Sequence, residues 1–116
     1  MTGKEALVEI RKTRTADQQF VKWWRKEEDY LDFENIDTYL LNTKDDEEVG
    51  GFELLTMADM WNNLEKVAPG RVQKTQKGGE LLIDWRRKTG EERHCPYTPQ
   101  SFIDIFDAET RGNYVD

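Results

Sequence analysis

Hydrophobic and polar residues change their rhythm several times along this chain. Leu7, Val8 and Ile10 open it as a short apolar group. The group fits a strand ending at Arg11-Lys12 or a helical turn after Thr2, and the helix-start signal just beyond it favours the strand. That signal is Thr15-Ala16-Asp17-Gln18, which has the form of a capping box, with the Thr hydroxyl and the Gln side chain each satisfying an orphan N–H. Phe20, Trp23, Trp24, Glu27, Tyr30 and Leu31 then share one helical face, which predicts a helix from Ala16 to Asp32. Adjacent residues stand about 100° apart on a helix, so one of the two tryptophans is expected inside and the other at the margin.

Ile36, Tyr39 and Leu40, with Asn35 as cap, predict a short second helix over 35–41, a strand being the alternative. The pattern then breaks. Asp45, Asp46, Glu47 and Glu48 run into Gly50-Gly51 and predict a solvated loop, followed by a short extended piece from Phe52 to Leu55. Thr56 opens the clearest helix, in which Met57, Met60, Trp61, Leu64 and Val67 form one stripe and Pro69-Gly70 ends it.

From Gly70 to Pro99 the period changes to two. Leu81, Ile83 and Trp85 alternate with Leu82, Asp84 and Arg86, between turn signals at Gly78-Gly79 and Thr89-Gly90. This predicts a three-stranded antiparallel meander. A two-residue turn at Thr89-Gly90 would force a β-branched residue to positive φ and set Arg86 against Arg93. A three-residue loop, Lys88-Thr89-Gly90, needs the left-handed conformation only at Gly90. In that register Arg86 faces Glu92, Trp85 faces Arg93, Asp84 faces His94, Ile83 faces Cys95 and Leu81 faces Tyr97. Cys95 is then expected as a buried small hydrophobe and His94 on the outer face beside Asp84. Thr98 and Pro99 start a last helix with Phe102, Ile103, Ile105 and Phe106 on its apolar side, and the tail RGNYVD is expected to fray. The fold class expected is α+β, one domain over residues 1–116. Its meander spans about 71–97 and is packed by three to four helices, with a possible extra N-terminal strand.

Composition narrows the function classes. The 116 residues carry 24 acidic and 17 basic side chains, a formal charge of −7, with four Trp, four Tyr and five Phe. The aromatic content marks a globular chain, and the negative charge disfavours direct binding to a nucleic-acid backbone. The charge is unevenly laid out. Residues 29–59 hold ten acids and one base, Lys44, whereas residues 66–93 hold eight bases and four acids. Such a layout either neutralises itself across the fold or steers docking onto a partner of complementary charge. Cys95 is the only cysteine, which excludes an intramolecular disulfide and suits a reducing compartment. The N-terminal residues lack the apolar core of a signal peptide and no run reaches the length of a membrane span. A cytoplasmic location is expected, the host cell's cytosol if the protein is viral.

Catalytic and metal chemistry find little footing. One His and one Cys, adjacent in sequence, fall short of the four ligands of structural zinc. The acidic run lacks the alternation of a calcium loop. On a strand His94 and Cys95 point to opposite faces, which separates base from nucleophile. Ser101, the sole serine, reads as a surface residue at a helix start, and neither glycine pair has the spacing of a phosphate loop. No cofactor and no metal are expected. The expectation is a non-catalytic acidic protein that inhibits or adapts another macromolecule, foremost a protein, with a nucleic-acid-binding protein as one option, and with a profile like that of phage and mobile-element accessory proteins. Candidate contact residues are Trp24, the acids Asp45, Asp46, Glu47 and Glu48, and the hairpin-tip cations Arg86, Arg87 and Lys88. The alternative is a module that holds an anionic metabolite or nucleotide on the basic meander.

Overall fold

The computed structural model describes residues 1–25, 30–37, 46, 48–86 and 90–111. Among them are two three-stranded antiparallel sheets and three helices, an α+β arrangement. The chain divides into two compact units, Met1–Ala58 and Asp59–Asp116.

The first unit begins with helix α1, Gly3–Thr13. The sequence favours a strand here, and the structure corrects that through a complete capping box. The Thr2 hydroxyl accepts from the Glu5 N–H at 3.2 Å, and the Glu5 carboxylate accepts from the Thr2 N–H at 3.0 Å. Ala6 and Ile10, one turn apart, then face inward.

A second correction falls on the predicted helix Ala16–Asp32, which is two strands: β1 (Gln18–Arg25) and β2 (Tyr30–Asn35). Thr15 and Gln18 do make reciprocal bonds. The Thr15 N–H donates to Gln18 Oε1 at 2.9 Å and the Gln18 N–H to the Thr15 carbonyl at 3.1 Å. Those bonds close a turn that feeds a strand, because Phe20, Val21, Trp23 and Trp24 suit a pleated, half-buried surface better than a helix. β1 is central in the order β2-β1-β3, where β3 is Gly51–Thr56. The extended piece expected at Phe52–Leu55 is therefore present. Trp23 lies opposite Phe52, and Lys22 opposite Phe33 and Glu53. Val21 and Trp23 enter a core with Ala6, Ile10, Ile36 and Val49, flanked by Leu7, Phe52 and Leu54. On the other face Phe20, Phe33 and Leu55 are buried too. Asn35 Oδ1 accepts from the Asp37 N–H at 2.9 Å, as a cap would, and residues 38–41 of the expected second helix lie outside the described residues.

The second unit follows the sequence closely. Helix α2 spans Met57–Val67, with Met60 and Leu64 buried and Val67, at the end of the expected stripe, exposed. The meander is β4 (Val72–Lys77), β5 (Glu80–Arg86) and β6 (Glu92–Pro96), in the order β4-β5-β6. Gly78 and Gly79 both have positive φ, 58° and 86°, as a two-residue hairpin of matched twist requires. In the β5–β6 pair Arg86 faces Glu92, Trp85 faces Arg93, Asp84 faces His94 and Ile83 faces Cys95, with Gly90 at φ 84°. Cys95 is half-buried rather than enclosed. Helix α3, Pro99–Arg111, is capped by Thr98, whose hydroxyl accepts from the Ser101 N–H at 3.2 Å. Ser101, expected at the surface, is buried, because its hydroxyl shares a 2.9 Å bond with Thr98 and turns inward beside Phe102. Residues 112–116, the expected fraying tail, lie outside the described residues.

Candidate functional site

Strand alternation sends Trp23 and Trp24 to opposite faces of the first sheet. Trp23 is fully buried, its ring 5.5 Å from that of Phe52, while Trp24 is 42% exposed. The exposed indole is held in place. Lys22, two residues back on the same face, brings its ammonium to 5.2 Å from the Trp24 ring and 5.9 Å from the Phe33 ring. Gly51 stands opposite Trp24 in the ladder, so close that an added methyl would touch the ring at 3.9 Å. A cation over an aromatic face at this distance contributes about 0.5–1 kcal/mol at an exposed site.

Of the acidic run, Asp46 lies exposed in a turn, and Asp45 and Glu47 fall outside the described residues. Glu48 is committed to structure. Its carboxylate pairs with the Met1 amino group at 2.8 Å, its backbone bridges to Thr2, and the next N–H, of Val49, donates to the Met1 carbonyl. Gly50 then donates to the Trp24 carbonyl at 2.7 Å. The end of the acidic segment is thereby tied to both the N-terminus and the strand that carries Trp24.

At the hairpin tip Arg86 is exposed and its Nη1 donates to the Gly90 carbonyl at 3.0 Å, closing the loop, while Arg87 and Lys88 lie outside the described residues. Below it a small pocket of about 110 Å³ is lined by Gly70, Arg71, Gln73, Asp84, Arg86 and Glu92, with Trp85. Arg71 binds the nearly enclosed Glu109 carboxylate at 2.8 Å and also donates to the Arg86 carbonyl. Acids and cations therefore meet in the same walls. His94 Nδ1 pairs with Asp84, and the Trp85 indole N–H donates to Cys95 Sγ at 3.0 Å, so the lone His and lone Cys serve different neighbours. Among the described residues no three His, Cys, Asp or Glu side chains gather as metal ligands. No described helix is long and apolar enough to cross a membrane.

Two features escape the sequence reading. In the second unit Lys74 places its ammonium 5.0 Å from the Trp61 ring and 5.6 Å from the Tyr97 ring, with Phe102 edge-on to both aromatics. Nothing in the spacing of these residues announces that cage. In the first unit a groove of about 440 Å³ runs between α1 and β3, lined by Met1, Glu5, Val8, Glu9 and Phe52. Its signal is the Thr2-x-x-Glu5 box, which turns Val8 and Glu9 outward on a helix. The Thr2 backbone N–H, and after it the Thr2 hydroxyl, hold the Glu5 carboxyl below its ordinary value, so it stays ionised at neutral pH.

No protein-family model, curated protein sequence or solved structure matches this chain.

Proposed function

We propose that this chain is a non-catalytic binding protein that docks onto another protein and inhibits or adapts it, in the manner of an accessory protein. The observation that carries this reading is Trp24, an exposed indole fixed on a central strand by Lys22 and backed by Gly51. Tryptophan is enriched among the few residues that dominate protein interfaces, and a ring already held in place loses little entropy on binding. The acidic balance of residues 29–59 fits a partner with a positive face, as a nucleic-acid-binding protein presents. The reading of an anion held on the basic meander has less behind it, because Arg71 and Arg86 already serve Glu109 and backbone carbonyls.

The test is a quantitative affinity capture from the native host with the wild-type chain and with Trp24→Ala. One dominant protein is expected on the wild type, reduced at least about tenfold on the variant and released faster by salt. Equal recovery on both would remove Trp24 from the interface. A panel of nucleotides and phosphates that raises the melting temperature instead would favour the anion-binding reading.

A further inference from the structure

We infer that the groove between α1 and β3 is the seat of a basic amphipathic segment of the partner protein, an apolar side chain entering beside Val8 and Phe52 while flanking Lys or Arg side chains meet Glu5 and Glu9. The inference rests on the protein-binding reading above and names the surface and the partner's chemistry. Five large hydrophobic side chains stand exposed among the described residues, and two of them, Met1 and Val8, each 44% exposed, line this groove. Phe52 supplies the floor, flanked across the ladder by the tilted ring of Trp23 at 5.5 Å. Chain ends usually fray, yet Met1 is held by the Glu48 ion pair, by the Val49 N–H and by the Thr2–Glu48 bridge. The wall is therefore built before anything binds, which lowers the ordering cost of binding. A volume of about 440 Å³ lies within the range of sites that enclose small ligands or a few side chains.

Charge decides the occupant. Glu5 and Glu9 stand one helical turn apart with Val8 between them, and the basic residues of α1, Lys4, Arg11 and Lys12, are not in the lining. Glu5 keeps lone pairs for a further donor after accepting from Thr2. Residues 1–58 as a whole carry fourteen acids and eight bases. An acidic rim around an apolar floor repels an acidic segment and an anionic lipid surface alike, and attracts a segment with Lys or Arg beside its apolar anchor.

The experiment titrates the ¹⁵N-labelled full chain with two short synthetic amphipathic peptides that share the same leucines, one with lysines and the other with glutamates on its polar face. The lysine peptide is expected to shift the amides of Val8, Glu9 and Phe52, and the glutamate peptide to leave them unmoved. Val8→Ser changes an exposed side chain and is expected to weaken the lysine peptide about tenfold while the melting temperature holds. Glu9→Gln is expected to weaken it severalfold and to flatten its salt dependence. Equal binding of both peptides, shifts confined to other residues, or an unchanged affinity in Val8→Ser would each overturn the inference. Trp24 stands on the opposite face of the sheet from Phe52, so the two readings separate. Peptide binding lost with Trp24-dependent capture intact sinks the groove alone, and the reverse sinks the Trp24 reading alone.

Discussion

The two units of this chain use the same parts, a three-stranded antiparallel sheet with helix, and place their charges differently. In the second unit several cations meet partners within the unit. Arg71 binds Glu109, Arg86 faces Glu92 across the ladder, and Lys74 rests on Trp61 and Tyr97. Residues 59–116 carry ten acids and nine bases, close to neutrality. The first unit has fourteen acids against eight bases, and Arg14–Asp37 at 3.5 Å and Met1–Glu48 are pairs formed within it. Its strands differ too, since β1 lies between β2 and a β3 that arrives after residues 36–50, whereas the meander pairs each strand with the next. A self-neutralised unit gains little from a charged partner. An acidic unit that exposes Trp24, Val8 and Met1 has both the steering field and the apolar contact that docking uses.

The largest effect tests where the first unit keeps its core. Trp23→Ala should cost about 3–5 kcal/mol in chemical denaturation, since the ring is fully buried. Trp24→Ala, one residue on, should cost less than about 1 kcal/mol, because its exposed ring gives up only surface contacts and one cation–π pair. Similar losses in the two variants would mean that Trp24 is structural, and the proposed docking face would lose its anchor.

In the second unit the matching substitution is Leu64→Ala. Leu64 is fully buried on α2, and about 2–5 kcal/mol should be lost. A loss below about 1 kcal/mol would show this helix face to be less enclosed than that of β1.

Smaller still is the cost of disturbing the turns on which the meander depends. Gly79 has φ +86° and no atom within 4 Å of the place a Cβ would take, so Gly79→Ala meets conformational strain without a clash. About 1–2 kcal/mol should be lost, with the amide exchange of β4 and β5 raised more than that of β6. An unchanged stability would show that the hairpin register is held by side chains rather than by the turn.

The turns also explain what could be read from the sequence. Gly78-Gly79 and Gly90 admit few backbone paths, and pairing Arg86 with Glu92 while avoiding Arg93 left one register, which the structure adopts. Thr98-Pro99 and Pro69-Gly70 bounded α3 and α2 in the same local way. Residues 16–32 carried no such punctuation. Phe20, Trp23, Trp24 and Leu31 satisfy a helical period and also serve as strands, and the contacts that decide, Trp23 with Phe52 and Val21 with Leu54, lie some thirty residues away in sequence. The site divided along the same line. One exposed tryptophan is legible whichever element carries it, but Leu7, Val8 and Ile10 fit a strand as well as a helix, and a strand there has no groove on α1. Glu48 reads as loop charge in the sequence because its partner, the amino group of Met1, is distant along the chain.

The smallest effect concerns the cap that makes α1, and with it the groove, possible. Glu5 accepts the Thr2 N–H, and Thr2 holds its carboxyl below the ordinary 4.5. A carboxyl whose folded value is depressed contributes stability that is present above its unfolded value and is lost as pH falls through the folded one. The melting temperature of the wild type should therefore decline as the pH drops below about 4.5, partly through this group. Glu5→Gln removes the titration and keeps a side chain able to accept from Thr2, since Gln also serves at this position of a capping box. Near neutrality the variant should melt slightly below the wild type, and on acidification the gap should narrow. Parallel acid limbs in the two proteins would mean that the Thr2–Glu5 bond does not form in solution.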